Sequence, residues 1–211
     1  MGILHLKNGV LSGMILGDGH LAKASVVLQL KHTLPQFNYL RFKLGLLDQL
    51  GFTCRTSNIT RHVTTFGMFE YCHGTATGNN LHEYYMYSFS QLLSELNSLG
   101  LLIWWLDDGC LSVHQKSSGS ISRFGYLNTQ GYGLEGNQLI RNHLYSKFGI
   151  ETTIHVDSKS GPFTKQDHHR LYLNATNMRR LIDIVREFIP WIPKDMLYKL
   201  NMRYVANRRE D

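Results

Sequence analysis

A nine-residue pattern occurs twice in this chain of 211 residues. It reads Leu11-Ser-Gly-Met-Ile-Leu-Gly-Asp18-Gly19 and, ninety residues later, Leu101-Leu-Ile-Trp-Trp-Leu-Asp107-Asp108-Gly109. Each copy is an apolar run that stops at Asp-Gly. The runs predict two buried helices, one from about Lys7 to Asp18 and one ending over Trp104–Asp108. The C-terminal end of a helix carries partial negative charge, so an Asp there is repelled rather than held. The Gly after it reads as a left-handed terminator. Two buried helices that each end in a misplaced acid predict acids kept for chemistry. Helices lying side by side would bring the two acids together.

The rest of each half repeats one order. After the first motif come a strand over Ala24–His32, with Leu28 and Leu30 alternating with Gln29 and Lys31, and a helix over Gln36–Leu50 closed by Gly51. Strands are predicted at Phe52–Arg61, Met68–His73 and Tyr84–Phe89, with a turn over Thr75–Asn80 and a short helix at Gln91–Leu96. In the second half the counterparts are a strand at Phe124–Gln130, a helix at Gly136–Phe148 closed by Gly149, strands at Glu151–Val156 and His169–Asn174, and a helix at Asn177–Phe188. Pairing Gln29 with Asn128 aligns Leu40 with Leu139. The expectation is an α+β fold of two α-β-β-α-β-β-α repeats, residues 1–98 and 99–211, packed through their motif helices. Ser12 and Gly13 would face Leu102, Ile103 and Trp104, small against large. Trp104 and Trp105 read as core.

Charge narrows the partner. The chain carries 22 Lys and Arg against 16 Asp and Glu, a formal +6, which favours a polyanion. Residues 1–100 carry net +2 and residues 101–211 net +4, so an asymmetric partner is expected. Cys54, Cys72 and Cys110 are too few and scattered for a disulfide framework, which points to a reducing, intracellular compartment. No apolar run reaches the ~18 residues of a membrane span, so no membrane partner is expected. Gln166-Asp-His168-His169 lacks metal-ligand spacing, and Gly17-Asp-Gly19 lacks the Lys of a phosphate-binding loop.

The doubled nonamer resembles the LAGLIDADG family of homing endonucleases. The first copy matches the family name at Leu11, Gly13, Ile15, Asp18 and Gly19, and the second at Leu101, Asp108 and Gly109. The resemblance implies a single-chain, monomeric member with two antiparallel sheets forming a DNA-binding saddle. The small-against-large seam departs from the family's small-against-small pattern. The implied activity is sequence-specific cleavage of a long, asymmetric double-stranded DNA target, leaving short 3′ overhangs in the service of intron or intein mobility.

Phosphodiester hydrolysis needs charge neutralised on the phosphate and a water made nucleophilic. Hard divalent cations on carboxylates supply both. Asp18 and Asp108 are the metal ligands expected for Mg²⁺, and Mn²⁺ or Ca²⁺ could occupy the same sites. Asp107 points about 100° away around the helix, as a backup. The resemblance further implies that Gln29 and Asn128 position water, and that Lys199, in Met196-Leu-Tyr-Lys199-Leu200, stabilises charge. The matching first-half stretch, Tyr87–Gly100, holds no Lys or Arg. One site therefore lacks its expected cation, which keeps alternatives open: a nicking enzyme, a cleavage-deficient DNA-binding protein, or a maturase that binds host intron RNA. For DNA contact, strand faces offer Lys23, Lys31, Arg55, Arg61 and His73 in the first half. The second half offers Lys116, Arg123, Gln130, His155, Lys159, Lys165, His169 and Arg170. Arg and Lys read guanine in the major groove, and Gln and Asn read adenine.

Overall fold

A computed structural model describes residues 3–22, 26–65, 67–78, 81–115, 119–157 and 168–200. The order is α1 (Ile3–Leu16), β1 (Gly19–Ala22), β2 (Val27–Thr33), α2 (Phe37–Gln49), β3 (Thr53–Thr64), β4 (Gly67–Thr77), α3 (Leu81–Tyr85), α4 (Phe89–Glu95), α5 (Ser98–Asp108), β5 (Gly109–Gln115), β6 (Ile121–Leu127), α6 (Gly133–Phe148), β7 (Thr153–Asp157), β8 (His168–Leu173) and α7 (Ala175–Val185), then short 3-10 turns. The α-β-β-α-β-β-α order thus occurs twice. Two four-stranded antiparallel sheets result, ordered β1-β2-β4-β3 and β5-β6-β8-β7. Two compact units divide the chain: Met1–Trp104 with Phe188–Tyr198, and Trp105–Glu187 with Lys199–Asp211. Among the described residues, no helix is long and apolar enough to cross a membrane.

Several local expectations are corrected. Tyr84–Phe89 is not a strand. Leu81–Tyr85 is helical, and α4 begins at Phe89 with Ser88 accepting from the Gln91 amide in a capping box. Local capping chemistry outweighed the aromatic run that suggested a strand. Thr75–Thr77 belongs to β4 rather than to a turn. Strands β1 and β5, four and seven residues long, follow the motif acids directly and carry little alternation, so the sequence pattern does not mark them.

The motif glycines are not left-handed caps. Among the described residues, the glycines at positive φ are Gly51, Gly67, Gly119, Gly133 and Gly149. Gly19 and Gly109 instead open strands that turn straight back along their own helices. A Cβ on Gly19 would lie 2.4 Å from the Met14 carbonyl oxygen, and one on Gly109 would lie 2.4 Å from the Trp105 ring. The glycine is needed for close approach. Gly51 and Gly149 do terminate α2 and α6 as expected, at φ of 85° and 62°.

In the first unit α1 crosses the first turns of α5 on small residues. A Cβ on Gly13 would lie 2.2 Å from the Gly100 oxygen, and one on Gly100 would lie 2.0 Å from the Gly9 oxygen. The seam is small against small, not Ser12 and Gly13 against Leu102, Ile103 and Trp104. The reason is that α5 starts at Ser98, a turn before its nonamer, which puts Gly100 at the crossing. Asn97 locks this start. Its Oδ1 accepts from the Gly100 amide at 2.8 Å, and its Nδ2 donates to the His5 carbonyl of α1 at 3.1 Å. Val10, Leu11, Met14, Leu102, Ile103, Trp104 and Trp105 are fully buried, so the tryptophans are core.

The repeats also align differently from expectation. Gly19 pairs with Leu30 across β1 and β2, and Gly109 pairs with Leu127 across β5 and β6. Leu30 therefore corresponds to Leu127, Asn128 to Lys31, and Gln29 to Tyr126. The same register puts buried Leu40, Lys43 and Leu47 of α2 with buried Asn137, Ile140 and Leu144 of α6. Leu139, which sequence alignment paired with Leu40, is 46% exposed. A longer β5–β6 hairpin shifts the count.

In α6, burial and the Lys147 charge lower the pKa of His143 from 6.5 to about 4. The folded state therefore favours the neutral ring. That contribution is complete above pH 6.5 and is lost as pH falls from there through about 4. His143→Phe is expected to flatten this part of the unfolding-midpoint-versus-pH curve. An unchanged acid limb would contradict it.

Candidate active site and DNA interface

Asp18 lies two residues beyond the last turn of α1, in the bend that starts β1, with Gly17 N–H bonded to the Gly13 carbonyl at 3.1 Å. Its carboxylate side chain is 41% exposed. It opens on a polar groove of 560 Å³, lined also by His20, Gln29, Lys31, Ser57, His73 and Thr75. The register explains this grouping. Gln29 pairs with His20 and Thr75, Lys31 with His73, and Arg55 with Thr75. Paired residues share a sheet face, so Gln29, Lys31, His73 and Arg55 lie together opposite the helices. Lys31 Nζ sits 4.1 Å over the Tyr71 ring, and His73 Nε2 lies 2.6 Å from the Thr60 hydroxyl. Burial and then Lys31 hold His73 below its usual pKa.

Arg61 does not join that face. It pairs with Glu70, whose parity on β4 matches buried Cys72, and its Nε donates to Glu70 at 2.7 Å. Lys23 lies outside the described residues.

In the second unit Asp108 is the last residue of α5. The Asn128 backbone N–H donates to the Asp108 backbone carbonyl at 3.1 Å, which sets Asn128 beside it just past β6. Burial and then the Asp108 charge raise the Tyr132 hydroxyl to about 12. Lys199 reaches the same helix end, its Nζ donating to the Asp107 carbonyl at 2.7 Å while its own carbonyl accepts from Trp105 Nε1 at 3.0 Å. A cation there also offsets the helix dipole.

The other second-half residues divide by strand parity. Phe124 and Tyr126 on β6 and Arg170 and Tyr172 on β8 share the open face. His155 of β7 stacks on Tyr172 at 4.7 Å and 11°, and the Arg170 guanidinium lies 4.0 Å from the Tyr126 centroid. His114 stacks on Phe124 at 5.5 Å. Where the first sheet is polar, this one carries an aromatic cluster. Arg123 shares parity with buried Gly125 and Leu127 and lines a cleft with Ala175 and Arg179 of α7. His169 likewise shares parity with buried Leu171. Gln130 sits in a 3-10 turn beyond β6, not on the strand. Lys116, Lys159 and Lys165 lie outside the described residues.

Sequence reasoning missed His32, Lys43, Tyr132 and the aromatic cluster. His32 and Lys43 each carried a signal. The Leu28-Leu30-His32 alternation puts His32 on the buried side of β2, and Lys43 interrupts the apolar stripe of α2.

The family model of LAGLIDADG DNA endonucleases matches residues 8–181, which takes in both nonamers and both sheets. The chain belongs to the LAGLIDADG DNA endonuclease family. Among curated proteins it is 28% identical over 111 residues to "Probable intron-encoded DNA endonuclease 3" of Mycosarcoma maydis, covering 52% of this chain and 67% of that one. It is 23% identical over 208 residues to "Protein RecA" of Mycolicibacterium flavescens, covering 92% of this chain and 46% of that one. The chain thus spans less than half of the RecA relative and about two thirds of the fungal one. Among solved structures, the homing endonuclease I-WcaI bound to its DNA recognition sequence is similar at a TM-score of 0.71 and 18% identity, over 95% of this chain and 88% of that one. The LAGLIDADG meganuclease I-AabMI bound to uncleaved DNA is similar at 0.53 and 11%, over 96% and 91%. At these identities the structures carry the fold.

Proposed function

We propose that this LAGLIDADG protein is a site-specific endonuclease that hydrolyses double-stranded DNA with a divalent cation, Mg²⁺ by preference. The observation that carries the reading is Asp18: a half-exposed carboxylate at a motif helix end, opening on a polar sheet face in a family of DNA endonucleases. The relatives support it in kind: one is named "Probable intron-encoded DNA endonuclease 3", and another is a homing endonuclease bound to its DNA recognition sequence.

Asp18 and Asp108 offer hard, accessible oxygen donors of the kind Mg²⁺ takes, one or two carboxylates with water and phosphate completing the set. A divalent ion held at either acid would supply charge neutralisation at the phosphate and activation of water. The chain's own groups do the rest. Gln29, on the groove floor, orients water through its amide. Asn128, fixed beside Asp108, does the same in the second unit. The Lys199 ammonium offsets negative charge that develops on the phosphate. Lys31, Arg55 and His73 grip the DNA from the first sheet, and His155 and Arg170 from the second.

The two sheet faces differ in chemistry, one polar and one aromatic. The target is therefore non-palindromic, read by one monomeric chain. Polar side chains read base edges, while ring edges suit the thymine methyl. Mobility of an intron or intein is the biological role that fits.

A plasmid library of candidate targets, incubated with the full chain and Mg²⁺, tests the reading. Linear product is expected only from plasmids sharing one long asymmetric sequence. Binding should weaken steeply with salt, with a log–log slope of about −0.9 per phosphate neutralised. Binding without metal-dependent cutting would remove the endonuclease and direct attention to splicing of intron RNA. Absence of salt-sensitive binding would remove nucleic acid altogether.

A further inference from the structure

Three polar side chains of the first unit run in a line from the groove into the core. Asp18 stands at the groove. His32, on β2, is buried behind it, with Nδ1 3.6 Å from Asp18 Oδ2. Lys43, on α2, is fully buried behind His32, with Nζ 3.2 Å from His32 Nε2. Tyr39 packs edge-on against the imidazole at 5.1 Å between centroids, and its hydroxyl donates to the Ile103 carbonyl at 3.1 Å. Lys43 Nζ lies 5.0 Å from the Tyr39 ring centre.

A lysine is rarely buried without a task, because the charge loses its hydration. The contact with His32 indicates one. An ammonium has donors and no acceptor, so His32 Nε2 must accept. A neutral imidazole that accepts at Nε2 carries its proton on Nδ1, and Nδ1 is the nitrogen facing Asp18. We propose that Lys43 fixes His32 in the Nδ1–H tautomer, and that His32 is a positioning residue whose N–H directs the Asp18 carboxylate toward the metal. The separation of 3.6 Å exceeds a hydrogen bond. A small rotation of the half-exposed Asp18 closes it, as polar contacts at active sites tighten in the loaded complex.

The same tautomer keeps His32 itself off the metal, since a protonated nitrogen has no lone pair to give. By the strand register that pairs Gly19 with Leu30 and Gly109 with Leu127, Thr129 and Ile140 occupy the corresponding places in the second unit, and the Thr129 hydroxyl bonds to Asn137 instead. The device thus belongs to the Asp18 site alone, the site whose half of the chain lacks the expected cation near its end. Lys43 supplies a buried cation by another route.

The inference rests on the reading of Asp18 as a metal ligand, and two measurements on the full chain separate them. Imidazole ¹⁵N NMR, with His32 assigned by its loss in His32→Asn, is expected to show a single Nδ1–H tautomer that becomes mixed in Lys43→Met. An Nε2–H tautomer in the wild type would overturn the proposal whatever the metal does. The second measurement is calorimetric titration with Mn²⁺ alone. His32→Asn keeps an N–H near Nδ1, whereas His32→Gln keeps a polar atom near Nε2. Loss of a residue that orients a ligand typically costs about 10–100-fold in metal affinity. His32→Gln is therefore expected to bind Mn²⁺ at least about tenfold more weakly, and His32→Asn to stay close to wild type. Thermal midpoints measured alongside should fall alike for both variants. A merely structural histidine would give equal Mn²⁺ affinities, and that result, or the reverse order, would overturn the proposal. Wild type that binds no Mn²⁺ yet shows the Nδ1–H tautomer would refute Asp18 as a ligand, and with it the positioning role, and leave only the Lys43–His32 pair standing.

Discussion

Asp18→Asn and Asp108→Asn, made singly, are each expected to lower metal-dependent DNA cleavage by about 100-fold or more. Metal-supplied charge stabilisation is worth several kcal/mol, and each 1.36 kcal/mol is a factor of ten in rate. An amide keeps the shape of the side chain and removes the charge that would hold the cation. DNA binding should survive both changes, because Lys31, Arg55 and the second-sheet cations lie on strands rather than at the helix ends. The same swaps should not destabilise the fold. Asp108 ends a helix where its charge is unfavourable, and Asp18 is half exposed. Gel assays of nicked and linear product, with binding measured in parallel, would check this. Full cleavage by either variant would contradict the assignment of that acid. Loss of one strand's cut alone would show that each acid serves one strand.

Gly100→Ala and Gly13→Ala are expected to be among the most damaging single-methyl additions in the first unit. Each Cβ would lie within 2.0–2.2 Å of a backbone oxygen on the facing helix, and backbone cannot swing aside as a side chain can. Forcing the helices apart opens a seam in which Val10, Leu11, Met14 and Leu102 are fully buried. Overpacking of this kind costs about 1–3 kcal/mol and occasionally more. For a chain of this size that is a fall of roughly 2–4 °C in melting midpoint per kcal/mol. Gly45→Ala provides the contrast. Gly45 is on the exposed side of α2, and a Cβ there meets nothing within 4 Å. Alanine is better than glycine in a helix by about 1 kcal/mol, so the same substitution should stabilise. Melting curves of the three variants decide the matter. Equal effects at Gly100 and Gly45 would contradict the close crossing.

Much of this was legible in the sequence because the signals were local. The apolar runs marked α1 and α5, the Leu28–Leu30 alternation marked β2, and Gly51 and Gly149 marked helix ends through their own backbone preference. What failed depended on distance or register. The role of Gly19 and Gly109 could not be separated from capping without seeing the helix each strand folds back on. Gln29 and Asn128 looked equivalent, because the longer β5–β6 hairpin leaves no trace in a residue-by-residue alignment. Arg61 and His169 lie on predicted strands and Arg123 just before one, yet strand parity turns them to the face opposite Lys31 and Arg170. A strand displaced by one residue reverses every side chain on it. Lys43 breaks the apolar stripe of α2, but only the fold shows that it lies behind His32 and Asp18.

The proposed endonuclease would cut DNA through two acids and a divalent ion. The most direct measurement is strand-resolved end mapping of the recovered target after incubation with the wild-type protein in Mg²⁺ or in EDTA. One cut is expected in each strand, offset to leave short 3′ overhangs, in Mg²⁺ and none in EDTA. Intact DNA held in a stable complex in Mg²⁺, or cutting that persists unchanged in EDTA, would contradict it.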